Sequence, residues 1–148
     1  MNISSLSDLE KIAKKIQKKI FPGDSIFLYG EIGVGKTTFA RFLINNCELE
    51  NKKKKSEVLS PTFNILFEYD INKLQIKHYD LYRLKDKKDV NNLGVFENSE
   101  QCITLIEWPE LIDKKPLNRI DIFFEYSDDM EKRSLTIKST GRLKGYEF

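Results

Sequence analysis

The sequence predicts a single α/β domain, and three observations carry that expectation. Ser25-Ile26-Phe27-Leu28-Tyr29 is a short apolar run that leads directly into a glycine-rich stretch and then a helical pattern. That order reads as strand, loop, helix. Two pairs of alternating segments, near 63–80 and near 120–137, read as hairpins. At 148 residues the chain is one domain's worth, and 1–148 shows no repeat, linker or composition shift that would divide it.

Each element has a local cause. Leu6, Leu9, Ile12, Ala13, Ile16 and Ile20 recur at helical spacing, Ser7 with Glu10 reads as a capping box, and Pro22-Gly23 as a stop. A helix over 7–21 follows, with a lysine-rich solvated face. The run 25–29 fits a buried strand. After Gly35, the residues Phe39, Ala40, Phe42, Leu43 and Ile44 give a broad apolar face, so a helix is expected from Lys36 to about Cys47. Lys52-Lys53-Lys54-Lys55 reads as an exposed loop, with RNA contact as the alternative. Phe63, Ile65 and Phe67 alternate, residues 70–73 supply a turn, and Leu74, Ile76 and His78 alternate again. A short polar helix is expected over 84–94 and a buried strand over 103–106. Ile120, Ile122 and Phe124, then Leu135 and Ile137, form the last hairpin around Asp128-Asp129.

Composition narrows the chemistry. The formal charge of +2 predicts neither a nucleic-acid stripe nor a membrane-surface patch. One histidine, His78, excludes multi-histidine metal sites. Cys47 and Cys102 form no C-x-x-C pair, and without a secretion signal they point to a reducing cytoplasm. No stretch approaches the ~20 apolar residues that span a bilayer.

Gly30-Glu31-Ile32-Gly33-Val34-Gly35-Lys36-Thr37 matches the G-x-x-x-x-G-K-[ST] phosphate-loop pattern between a predicted strand and a predicted helix. Glycines permit the torsions and close approach that wrapping a polyphosphate demands. The following helix aims its positive dipole end at the anion. Lys36 is placed to reach the β- and γ-phosphates, and the Thr37 hydroxyl to ligate Mg²⁺. Such a site also needs an acidic residue at the end of a neighbouring strand. Asp80 and Glu107 both qualify. Glu107 ends the more apolar strand and can also polarise an attacking water. Thr62, in a polar loop, is a candidate γ-phosphate sensor, with a plain turn residue as the alternative. His78 reads as a packed, hydrogen-bonded core residue. Trp108 follows Glu107 and reads as core, as its support or as a partner-facing residue, and Tyr82-Arg83 as a pair that stacks on a partner or holds a phosphate, or as sheet-edge cover.

Absences sharpen the reading. Asn72-Lys73 continues as Leu74-Gln75, so no Asn-Lys-x-Asp guanine reader is present. Arg41, Arg83, Arg119 and Arg133 are spread along the chain, and no arginine finger stands out. Because such a finger is worth ~10³–10⁵ in rate, hydrolysis by the chain alone is expected to be slow.

The order and spacing of four segments resemble the bacterial TsaE family, formerly YjeE, over nearly the whole chain. They are Gly30 to Thr38, Ser60-Pro61-Thr62-Phe63, His78-Tyr79-Asp80-Leu81-Tyr82-Arg83-Leu84 and Ile106-Glu107-Trp108-Pro109. The resemblance implies a P-loop NTPase-like three-layer domain, with a mostly parallel central sheet flanked by antiparallel strands. It also implies a cytoplasmic ATPase that uses ATP and Mg²⁺ in forming threonylcarbamoyladenosine in tRNA. Its partners would be TsaB and TsaD, the latter carrying the transfer onto tRNA, and hydrolysis would reset the complex. Carried over by position, Gly30, Glu31, Ile32, Gly33, Val34, Gly35, Lys36, Thr37, Thr38, Thr62 and Arg133 bind nucleotide. Lys36, Asp80 and Glu107 are catalytic, Thr37, Glu107 and Asp80 serve the metal, and adenine lies near Leu6 and Ser7. Glu31, Ile32 and Val34 stand where the family commonly has Asp, Leu and Ala. An ATP-gated binding module and a small phosphotransferase are the rival readings.

Overall fold

The computed structural model describes residues 1–128 and 130–148. Asp129, half of the expected Asp128-Asp129 turn, lies outside the described residues. In chain order the elements are β1 (Asn2–Ile3), α1 (Leu6–Gln17), β2 (Ser25–Tyr29), α2 (Lys36–Glu50), β3 (Leu66–Ile71), β4 (Leu74–Asp80), α3 (Lys87–Asn92), β5 (Cys102–Glu107), β6 (Arg119–Tyr126) and β7 (Arg133–Thr140). The strands form one sheet in the order β1-β7-β6-β2-β5-β4-β3. The inner strands β6, β2, β5 and β4 are mutually parallel. The pairs β6–β7, β7–β1 and β4–β3 are antiparallel.

Burial explains the parallel centre. Every residue of β5, Cys-Ile-Thr-Leu-Ile-Glu, is buried, and four of the five in β2 are too. Strands covered on both faces read as continuous apolar runs rather than alternating ones. One face carries Ile26, Leu28, Ile76, Ile103, Leu105, Ile120 and Ile122, packed under α1 and α2. The other carries Phe27, Tyr79 and Ile106, packed against Leu81, Val90 of α3, Val95 and Ile112. Both long helices therefore sit on the same side. Among the described residues, no helix is long and apolar enough to cross a membrane.

Several element limits differ from expectation. The capping box of α1 is Ser5 with Asp8, not Ser7 with Glu10. Asp8 accepts from the Ser4 and Ser5 amides and the Ser5 hydroxyl accepts from Asp8, so the nucleus closes two residues earlier. The helix ends at Gln17, well before Phe21, because the Asp24 carboxylate takes the Phe21 amide at 2.7 Å and turns the chain into β2. α2 continues past Cys47 to Glu50, where the side-chain amide of Asn51 donates to the Cys47 carbonyl at 2.8 Å. The polar helix α3 is shorter than the 84–94 expected. Phe63 is not in a strand: it is 82% exposed, and β3 begins only at Leu66. Ile65 adopts φ +68° and its amide donates to the Pro61 carbonyl, which turns the chain away after the last ladder bond, from Asp80 N to the Ile65 carbonyl at 2.9 Å. The two-residue strand β1 was not foreseen; it is too short to show a period.

Candidate nucleotide site

The parallel strands β2, β4 and β5 all end on one edge of the sheet, and the loop 30–35 leaves that edge to start α2. Clefts at this edge of open α/β sheets are the common ligand position. Gly30 shows why the loop is glycine-rich. Its φ is +143°, and a Cβ there would stand 2.7 Å from the Phe124 carbonyl oxygen. Val34 is buried in the α1/α2 core and anchors the loop from beneath.

One cleft of about 400 Å³ collects Ile32, Gly33, Gly35, Lys36, Thr37, Thr38, Ser60, Thr62, Asp80, Tyr82, Glu107 and Trp108. Lys36 is folded back into the loop. Its Nζ donates to the Gly30 carbonyl and, at 2.9 Å, to the Glu31 carbonyl, and lies 4.0 Å from the Trp108 ring centroid. Desolvation lowers the Lys36 pKa from its ordinary value, opposed by the charges of Glu107, Glu110, Asp80 and Glu31. An ammonium held only by carbonyls and a ring face can exchange them for stronger, anionic acceptors.

Register places the two carboxylates side by side, since Asp80 of β4 pairs with Glu107 of β5. Both are buried. Thr37 Oγ1 donates to Glu107 Oε1 at 2.8 Å. The Asp80 carboxylate takes Ser60 Oγ at 2.7 Å and Thr62 Oγ1 at 2.9 Å on one oxygen, and the Tyr82 amide at 3.0 Å on the other. The two hydroxyl oxygens lie 2.9 Å apart on that shared carboxylate oxygen. The Ser60-Pro61-Thr62 loop is thus latched to Asp80 rather than standing apart from it.

A second cleft adjoins the first across the loop. Leu6, Leu9, Gly33, Val34, Gly35, Thr38, Phe124, Arg133 and Leu135 are among its walls. Gly33, Gly35 and Thr38 line both clefts. Arg133 lies over the Tyr126 ring, 4.8 Å from its centroid, and donates to the Glu131 carbonyl. Leu6 lines this cleft and Ser7 does not.

The geometry therefore brings Lys36, Thr37, Thr38, Thr62, Asp80 and Glu107 into one cleft and puts Arg133 in its neighbour. Within Ser60-Pro61-Thr62 the sequence reading gives a ligand role to Thr62 alone, yet the Ser60 hydroxyl reaches the same carboxylate, and the bond between His78 and Glu107 is not anticipated either. The two-residue offsets of Ser60 from Thr62 and of His78 from Asp80 were the available signals. Arg142, not weighed with the other arginines, is tied to Asp24 and the Lys19 carbonyl.

Comparison with known proteins agrees with this architecture. Residues 3–135 match the family model described as Threonylcarbamoyl adenosine biosynthesis protein TsaE. Curated relatives carry the name tRNA threonylcarbamoyladenosine biosynthesis protein TsaE. The one from Rickettsia bellii is 35% identical over 136 residues, covering 91% of each chain. The one from Bacillus subtilis is 32% identical, covering 90% of this chain and 81% of its own. Against the Rickettsia felis protein the identity is 37%, but the match spans only 62% of that protein's length. The crystal structure of Bacillus subtilis YdiB superposes with a TM-score of 0.75 at 27% identity, covering 95% of this chain and 84% of that one. With a family model spanning most of its length and relatives above 30% identity over nine-tenths of it, the chain belongs to the TsaE family.

Proposed function

We propose that the chain is a cytoplasmic, partner-dependent Mg²⁺-ATPase that serves formation of threonylcarbamoyladenosine in tRNA, on a P-loop NTPase-like three-layer fold. The observation that carries this reading is the meeting, in one cleft, of the phosphate loop, the Thr37–Glu107 pair at 2.8 Å and Asp80. The donor set fits Mg²⁺. Thr37 and the two carboxylates offer hard oxygen ligands. Among the described residues no cluster of three acidic, histidine or cysteine groups forms a metal cage of its own. That suits an ion which is held by one or two carboxylates and completes its shell with phosphate oxygens and water.

In this reading the loop 30–35 and the start of α2 cradle the polyphosphate, and Lys36 leaves the Gly30 and Glu31 carbonyls for the β- and γ-phosphates. Thr37 and Glu107 hold the metal, which when bound offsets charge on the phosphates. Asp80 orients the attacking water, and Ser60 and Thr62 respond to whatever Asp80 binds. The base occupies the adjoining cleft beside Leu6 and Arg133. Among the described residues lining the phosphate cleft none is an arginine, so the stabilising cation is assigned to the partner assembly, TsaB with TsaD. tRNA is reached through that assembly. The latch of Ser60 and Thr62 on Asp80 also favours a second reading, in which ATP binding alone releases the loop for docking. Equilibrium ATP binding tests the site, with loss expected in Lys36→Ala. Unchanged binding in that variant would remove the site assignment. Glu107→Gln separates the readings: under the first it binds ATP and assembles but forms no modified tRNA, under the second modification persists.

A further inference from the structure

His78 takes no part in the chemistry proposed for the cleft, yet it touches the site through Glu107. It is fully buried on the α1/α2 face of β4, two residues before Asp80, with Ile76 preceding it on that face and Leu105 as its neighbour on β5. A polar ring in such an apolar row is unfavourable unless it is hydrogen-bonded. Its Nε2 lies 2.7 Å from Glu107 Oε2, while Glu107 Oε1 takes the Thr37 hydroxyl at 2.8 Å. One carboxylate oxygen is thus engaged from the core and the other from the start of α2. Among the described residues Nδ1 has no hydrogen-bond partner. The proton is accordingly assigned to Nε2, where the carboxylate accepts it, leaving a bare lone pair on Nδ1.

We propose that His78 is a positioning residue for Glu107. Its Nε2–H holds Oε2 toward the core and fixes the carboxylate plane, so that Oε1 stays beside Thr37 on the metal side. A glutamate freed from this bond has three side-chain torsions through which to leave that position. Partners of this kind, which orient a ligand without touching the ion, typically cost about 10–100-fold in metal affinity when removed. The proposal rests on the Mg²⁺-ATP reading.

The test is equilibrium binding of a fluorescent ATP analogue to the full chain, with chelator and across a Mg²⁺ titration, for wild type, His78→Leu, His78→Asn and His78→Gln. A glutamine amide reaches as far as the imidazole Nε2, whereas an asparagine amide stops short of it. The expected result is near-wild-type affinity in chelator for all three. The Mg²⁺ concentration for half-maximal tightening rises about 10–100-fold in His78→Leu and His78→Asn and is largely restored in His78→Gln. Wild-type Mg²⁺ dependence in His78→Leu or His78→Asn would overturn the proposal. So would loss of chelator-state affinity in all three variants together with lowered thermal midpoints, because His78 would then serve the fold alone. Should His78→Leu fail to fold, the contrast between His78→Gln and His78→Asn decides. A wild type that binds no nucleotide at all would instead overturn the ATP reading on which the proposal stands.

Discussion

At Lys36, the proposed phosphate contact and stability pull in opposite directions. Burial holds its pKa below the ordinary 10.5. At neutral pH the folded state therefore bears the cost of a desolvated ammonium. As pH rises from the folded value toward 10.5, the folded lysine loses its proton while the unfolded one keeps it, so stability climbs across that interval. Lys36→Met lacks this climb. Urea unfolding at neutral pH and again as pH is raised toward 10.5 should show the wild type gaining on the variant. Gly30 is constrained differently: at φ +143° with the Phe124 carbonyl in the way, Gly30→Ala should lose at least about 1–3 kcal/mol in the same experiment. The identities of Lys36 and Thr37 are legible in the sequence because the phosphate-loop spacing is local. The Glu107–His78 bond is not, since it joins residues on different strands and exists only once β4 and β5 pair in parallel at the observed register.

Helix α1 was legible in its period and misread at its ends. The apolar spacing of Leu9, Ile12, Ala13 and Ile16 is unambiguous, but Ser5 and Ser7 both precede an acid three residues later. Only the extended backbone of Ser5, at φ −149°, marks the true cap. Ser5→Ala should cost about 1 kcal/mol, lowering the thermal midpoint by about 2–4 °C. The hydroxyls on Asp8 hold its carboxyl below its ordinary 3.8. That contribution is present above 3.8 and fades as pH falls through the lower folded value. Strand β3 illustrates the opposite case. Phe63, Ile65 and Phe67 alternate well, yet Ile65 turns left-handed: its amide bonds back to the Pro61 carbonyl, and Thr62 inside that turn reaches the Asp80 carboxylate. A period of two cannot register a tertiary hydrogen bond that overrides it.

For the whole molecule, four parallel strands with both long helices on one face deliver the loop, Asp80 and Glu107 to a single edge. The strand order could not be read from the sequence, because it depends on β6 returning beside β2 after the chain has crossed to β4 and back through β5. A ligand bound at that edge bridges several elements at once and should stabilise them together. ATP with Mg²⁺ at 100 times its dissociation constant adds about 2.7 kcal/mol. For a chain of this size the thermal midpoint should then rise by about 5–10 °C, a rise absent in Lys36→Ala. No arginine lines this cleft among the described residues, and under the proposed function the chain hydrolyses ATP efficiently only inside its partner assembly. The most direct test is the release of inorganic phosphate from ATP by the chain alone and with TsaB and TsaD from the same source. The proposed partner dependence predicts slow release alone and a rise of at least about tenfold with both partners, lost in Lys36→Ala. ATP binding with no rise on adding the partners would contradict it.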